Sequence, residues 1–190
     1  MKIEPITSIE GVFVVTPTIH GDDRGWFSET YKVSTFSEVG IADRFVQDNH
    51  SRSSKGVLRG LHFQWDPPMG KLMRVTAGKA FLVAVDIRPD SPTLGKWFGL
   101  EVDAKDKKQV YAPASFARGF LALEEGTEVQ YKCTGEYNQN AESGIAWDDP
   151  AIAIEWPKLD VEYTISEKDQ QAQSLVEWLE RPESQRFADS

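Results

Sequence analysis

An all-β fold is predicted by three observations. Short apolar runs recur from Met73 onward at intervals on the order of ten residues, divided by turn residues, which is the spacing of a sandwich or barrel. Only one segment, Ser166 to Glu180, has both the cap and the apolar stripe of a convincing helix. No G-x-G-x-x-G or phosphate-loop pattern opens a helix, so a dinucleotide fold is unsupported.

Taken in order, Gly11 to Thr16 is an apolar, β-branched run that ends at Pro17, as an early strand would. His20 to Gly25 is a turn. Trp26 to Tyr31 alternates as a second strand and holds Arg24 and Glu29 near its two ends. Ser34 to Val39 fits one or two helical turns stopped by Gly40. Phe45 to Ser51 reads as a loop, whose amides and hydroxyls suit turn hydrogen bonds or a polar ligand equally well.

Gly56 to Gln64 is a strand in which two glycines pin an apolar run. Strict alternation puts Leu58, Gly60, His62 and Gln64 on one face and Val57, Arg59, Leu61 and Phe63 on the other. Both faces then mix polar and apolar groups, and buried polar side chains need partners. Further strands are expected over Phe81 to Ile87, Lys96 to Val102, Gln109 to Ala112, Gly119 to Leu123, Val129 to Cys133 and Gly144 to Trp147. Behind the helix, the tail after Pro182 is polar and expected to fray.

A length of 190 residues without an obvious linker suits a single domain, 1–190, with a sizeable core. The net charge of -9 argues against nucleic-acid or membrane-surface partners, so an anionic ligand must find a local basic pocket. Arg24, Arg59, Lys71, Arg74 and Arg118, all in apolar or glycine-containing stretches, are the candidates. Cys133 is the only cysteine, which excludes an internal disulfide or a thiolate cluster. The N-terminus lacks the apolar centre of a signal peptide, and the run from Ala80 to Val85 is far short of the ~18 residues of a membrane span. A cytoplasmic protein is expected.

Counting ligands tests the metal hypothesis. The histidines are His20, His50 and His62, and the position two after His62 is Gln64, which breaks the alternate-histidine pair of small β-barrel metal sites. His20 and His50 sit in turn-like contexts. Cys133 has no neighbouring histidine, and no G-x-S-x-G elbow occurs. Acid–base chemistry remains. A neutral histidine is the natural base near neutral pH, assisted by a carboxylate that the residues alone do not identify. Taken by itself, His62 suits a satisfied core histidine as well as a base, and Tyr131, the polar tip of an apolar row, suits a core tyrosine as well as a reactive one.

The blocks Asp23 to Glu29, Gln47-Asp48-Asn49, Gly56 to Gln64, Val85 to Arg88 with Ser91-Pro92-Thr93, Tyr131 to Thr134, Trp147 to Pro150 and Ile165 to Asp169 together resemble the dTDP-4-dehydrorhamnose 3,5-epimerases. The resemblance implies a cupin-type jelly-roll barrel that works as a homodimer crossed by an N-terminal strand. It also implies inversion of both carbons beside the keto group of a dTDP-4-keto-6-deoxyglucose, with no cofactor or metal. His62 is then the proton acceptor, Asp169 its orienting carboxylate, Tyr131 the opposite-face donor and Lys71 the candidate to stabilise the enolate. Arg24, Phe27, Glu29, Gln47, Asn49, Arg59, Glu142 and Lys168 are implied to surround nucleotide and sugar, with Tyr137 stacking on thymine. Ser166 and Asp169 also have the spacing of a capping box, which competes with the catalytic role of Asp169.

One departure stands out. Arg118 occupies a place where the family usually carries histidine. It cannot shuttle protons near neutral pH, so it is expected to hold a ligand oxygen. The change leaves open an enzyme that inverts one carbon only, or a sugar-nucleotide barrel without catalysis.

Overall fold

The computed structural model of the chain describes residues 1–41 and 44–188. In chain order the strands are β1 (Lys2–Pro5), β2 (Phe13–Thr16), β3 (His20–Asp22), β4 (Gly25–Phe27), β5 (Gln47–Ser53), β6 (Val57–Gln64) and β7 (Lys71–Ala77). They continue with β8 (Lys79–Asp86), β9 (Trp97–Asp103), β10 (Gln109–Ala112), β11 (Phe116–Ala122), β12 (Thr127–Cys133), β13 (Glu142–Gly144) and β14 (Thr164–Ile165). Helix α1 spans Val33–Ser37, α2 Glu167–Gln170 and α3 Leu175–Leu179, and a 3-10 helix covers Pro182–Phe187.

Two six-stranded sheets form a jelly-roll barrel of the cupin type. One has the order β1-β2-β10-β7-β12-β5 and the other contains β13-β6-β11-β8-β9, with β14 added in parallel to β6. Strand β8 shows why they stack. Lys79–Asp86 is buried almost throughout, because Ala80, Leu82 and Ala84 face the space between the sheets while Phe81, Val83 and Val85 face outward into a second core. Between the sheets, Met73, Val75, Val110, Phe116, Phe120 and Val129 fill the interior. The second core is closed by the C-terminal part of the chain, where Ile152, Leu175, Trp178 and Phe187 cover Leu58, Leu61 and Phe63.

Most of the expected strands are present, but the one expected over Gly144 to Trp147 is β13, Glu142–Gly144, with only an isolated bridge at Ile145 beyond it, and other segments also differ. Residues 45–51, read as a loop, lead into and largely form β5, whose inner and outer faces are both polar and so show no hydrophobic alternation. The second strand expected over Trp26 to Tyr31 shrinks to β4, half of a short hairpin with β3. The helix expected over Ser166 to Glu180 is broken into α2 and α3. Ser174 starts the second with a full capping box to Glu177, a stronger nucleation signal than continuation of the first. The described part of the tail after Pro182 does not fray, since Phe187 is fully buried against Phe63 and Trp178. Among the described residues no helix is long and apolar enough to cross a membrane.

Candidate active site

A cavity of about 210 Å3 opens at one end of the barrel, lined by Ser51, Arg59, His62, Lys71, Met73, Arg118, Phe120, Tyr131 and Glu142 among others. Both sheets contribute. His62 and Arg59 project from β6 and Arg118 from β11, while Lys71 and Tyr131 come from β7 and β12 of the opposite sheet.

Strict alternation would separate Arg59 from His62, and the structure overturns that expectation. In the pairing of β6 with β11, Arg118 opposes His62 and Phe120 opposes Arg59, so β6 carries one residue more than its partner. This bulge sits at Gly60, whose φ of +130° side chains rarely adopt, and a Cβ there would lie 2.6 Å from the Cα of Gly119. The extra residue turns Arg59 onto the pocket side with His62 and leaves Leu58, Leu61 and Phe63 in the outer core.

His62 Nε2 bonds the carboxylate of Asp169, 2.7 Å from Oδ1. Asp169 lies at the start of α2, where its backbone N–H donates to the Ser166 hydroxyl, but its side chain turns away from the cap and accepts from the Gly60 N–H at 3.2 Å. The capping spacing is therefore half used. Burial pushes the Asp169 carboxyl up, yet hydrogen bonds and charge from His62, with Gly60 and Ser166, hold it below the usual range. An ionised Asp169 accepts a hydrogen bond from the Nε2–H, so His62 Nδ1 is the nitrogen that can take up a proton. The His62 side chain is 28% exposed and that of Asp169 only 6%.

Across the cavity, burial, with a smaller effect from Cys133, raises the Tyr131 phenol, so its proton stays on until a strong base needs it. Lys71 Nζ sits 5.0 Å from the centre of the Tyr131 ring. Burial, then the charge of Arg118, pushes Lys71 down to about 8. At the mouth, Glu142 accepts from Lys168 and from the Tyr137 hydroxyl, at 3.0 Å for the latter. Burial works against ionisation of Glu142, but these two partners hold it below the usual carboxylate range. Gln47 Nε2 donates to Asn49 Oδ1 at 2.9 Å and its Oε1 accepts the Tyr137 N–H, also at 2.9 Å, which ties β5 to the mouth.

Arg118 lines the cavity, yet where a ligand oxygen was expected both of its terminal nitrogens already donate to backbone, and its buried Nε has no partner. Nη1 donates to the carbonyls of Pro113 and Phe116, and Nη2 to that of Met69. Arg24, Phe27 and Glu29 lie outside the pocket. Arg24 pairs with Asp22 in the β3–β4 hairpin, where Trp26 is 59% and Phe27 69% exposed. His20 and His50 lie in β3 and β5 rather than in turns, and among the described residues no three His, Cys, Asp or Glu side chains gather as a metal site would. Ser51, Met73 and Phe120 line the cavity unforeseen. Ser51 follows Gln47 and Asn49 at strand spacing, a signal visible only once β5 is read as a strand.

Known proteins identify the family. The family model for dTDP-4-dehydrorhamnose 3,5-epimerase matches residues 6–177. The dTDP-4-dehydrorhamnose 3,5-epimerase of Escherichia coli K12 is 50% identical over 154 residues, 80% of this chain and 83% of that protein. The enzyme of the same name from Methanothermobacter thermautotrophicus is 46% identical over 90% of this chain and 93% of its own. A crystal structure of dTDP-6-deoxy-D-glucose-3,5-epimerase from Legionella pneumophila, in complex with dTDP-4-keto-L-rhamnose, superposes with a TM-score of 0.88 at 44% identity, covering 92% of this chain and 93% of that one. With the family model spanning most of its length, the chain belongs to the dTDP-4-dehydrorhamnose 3,5-epimerase family.

Proposed function

We propose that the protein inverts C3 and C5 of dTDP-4-keto-6-deoxy-D-glucose to give dTDP-4-keto-L-rhamnose by proton transfer alone. The observation that carries this reading is the placement of His62 and Tyr131 on opposite sheets across one cavity. The 4-keto group acidifies the C–H bonds on either side. His62 Nδ1 takes a proton from one face of the ring, and Asp169 stabilises the imidazolium that results. The electrons move into an enolate, whose oxygen is stabilised by the Lys71 ammonium in the enclosed site. Tyr131 then returns a proton to the carbon from the other face, so the centre inverts. Between the two inversions, His62 must lose its proton and Tyr131 regain one.

Arg59 and Lys168 suit the diphosphate, since both carry charge at the mouth beside His62. Tyr137, exposed beside the cavity, suits stacking on thymine, with Gln47, Asn49 and Glu142 completing the approach. Arg24, Phe27 and Glu29 find no role within their own chain. They fit a homodimer in which the N-terminal hairpin reaches the partner's site. Free, buried Cys133 fits a reducing cytoplasm.

Incubation with dTDP-4-keto-6-deoxyglucose in deuterated water tests the reading. Label is expected at both C3 and C5 of the product. Label at one carbon would make the protein a mono-epimerase, and none at either would leave a binding barrel.

A further inference from the structure

Both terminal nitrogens of Arg118 donate to backbone, and only its buried Nε lacks a partner. Nη1 lies 2.8 Å from the Pro113 carbonyl oxygen and 2.7 Å from that of Phe116, Nη2 donates to Met69, and the residue is 3% exposed. These carbonyls belong to two segments. Met69 immediately precedes Gly70 and Lys71, the start of β7, and Pro113 to Phe116 joins β10 to β11. The segments touch closely, for a Cβ on Gly70 would lie 3.2 Å from the Ala114 nitrogen. Thr134 grips the same backbone from the other side. Gly70 N–H donates to its hydroxyl at 2.7 Å, and its own N–H donates to the Gly70 carbonyl at 3.0 Å. The chain entering Lys71 is thus held at Met69 and at both polar groups of Gly70.

We propose that Arg118 is a positioning residue for Lys71: it pins the backbone that carries the lysine and sets a fixed positive charge beside its ammonium, instead of holding a ligand oxygen. The inference rests on the reading of Lys71 as the enolate's charge partner. A lysine head hangs on a flexible four-carbon stem, so where it rests depends on its backbone and on what surrounds it. A histidine in place of Arg118 has two ring nitrogens and could not hold three carbonyls. Arginine can, and it adds a charge that does not titrate near neutral pH.

The groups acting on Lys71 come from every side. Arg118 from β11 and Lys168 from α2 oppose its charge, while Cys133 from β12 and Glu142 from β13 favour it. Tyr131, His62 and the charged Arg59 line the same cavity. Apart from burial, Arg118 is the largest influence, and with it in place the Lys71 proton leaves at about 8. Removing the Arg118 charge moves that point upward.

Wild type, Arg118→Gln, Lys71→Met and the double variant are compared by deuterium wash-in across neutral and alkaline pH and by calorimetric titration with dTDP. Arg118→Gln is expected to lose about tenfold or more in turnover, to shift the alkaline limb of the pH profile up by about one unit, and to keep dTDP affinity within about twofold. On the Lys71→Met background it is expected to change nothing further. A roughly tenfold loss of dTDP affinity with an unmoved limb would make Arg118 a ligand residue and overturn the inference. So would a double variant that loses the product of the two single losses.

Full turnover by Lys71→Met would instead remove the assigned role of Lys71, and with it the basis of the inference. Absence of wash-in in the wild type would remove the epimerase reading as a whole. If Arg118→Gln does not fold, Thr134→Val loosens the same backbone without touching the charge. It is expected to lose about threefold in turnover with limb and dTDP affinity unmoved, and unchanged turnover there would overturn the positioning role.

Discussion

Replacing Lys71 by methionine should stabilise the protein while crippling it. The side chain lies among Arg118, Tyr131 and Met73, and its ammonium has been pushed from 10.5 down to about 8, mainly by burial. At about 1.4 kcal/mol per pKa unit, keeping Lys71 charged in the fold costs at most about 3.5 kcal/mol. Methionine has a similar unbranched stem and no charge to desolvate, so Lys71→Met should gain about 1–3 kcal/mol at neutral pH. The sign depends on pH. Below the folded value both the native and unfolded wild type carry the charge and the cost is complete. Between about 8 and 10.5 the native lysine loses its proton before the unfolded one, the wild type recovers stability, and the advantage of the variant fades.

Urea denaturation of both proteins at neutral and strongly alkaline pH reads the difference as a shift in midpoint at constant slope. A variant no more stable than wild type at neutral pH, or an advantage independent of pH, would refute the reasoning. Turnover should fall by roughly 10^2 to 10^3, the usual cost of losing a group that stabilises a developing oxyanion.

Two other substitutions probe the neighbouring structure. Asp169→Asn keeps the shape of the dyad but removes the charge facing the imidazolium, so wash-in should slow by about 10^2 to 10^4 with dTDP binding retained in calorimetry. Because Asp169 is held below the usual carboxylate range, its stabilising contribution is present above the unfolded carboxylate value and lost as pH falls through the folded one. The thermal stability of wild type and variant should therefore converge in acid. Gly60→Ala forces a Cβ to 2.6 Å from Gly119 Cα and 2.9 Å from the Arg118 carbonyl oxygen at a φ of +130°. A loss of more than about 3 kcal/mol in chemical denaturation is expected, and a change below about 1 kcal/mol would show that the bulge relaxes easily.

The barrel strands were legible because each has an apolar face with period two, and β8 because both of its faces are apolar. Strand β5 was not, since Gln47, Asn49 and Ser51 turn toward the polar pocket while Asp48, His50 and Arg52 turn outward, leaving no contrast to detect. The shared face of Arg59 and His62 was hidden for another reason. Alternation assumes a regular ladder, and the extra residue at Gly60 appears only when β6 is paired with β11. The partnership of His62 with Asp169 spans 107 positions and came from resemblance, not from local pattern. Phe187 was overlooked as a single aromatic in a polar tail, although its burial depends on Phe63 and Trp178 far from it in sequence or helix register.

The outer core built by the C-terminal part of the chain has a consequence for catalysis. His62 and Tyr131 lie on β6 and β12, whereas Asp169 comes later in the chain, with the layer that buries Trp178 and Phe187. Until that layer docks, the histidine is without its carboxylate. Efficient proton abstraction therefore waits for the outer core to close.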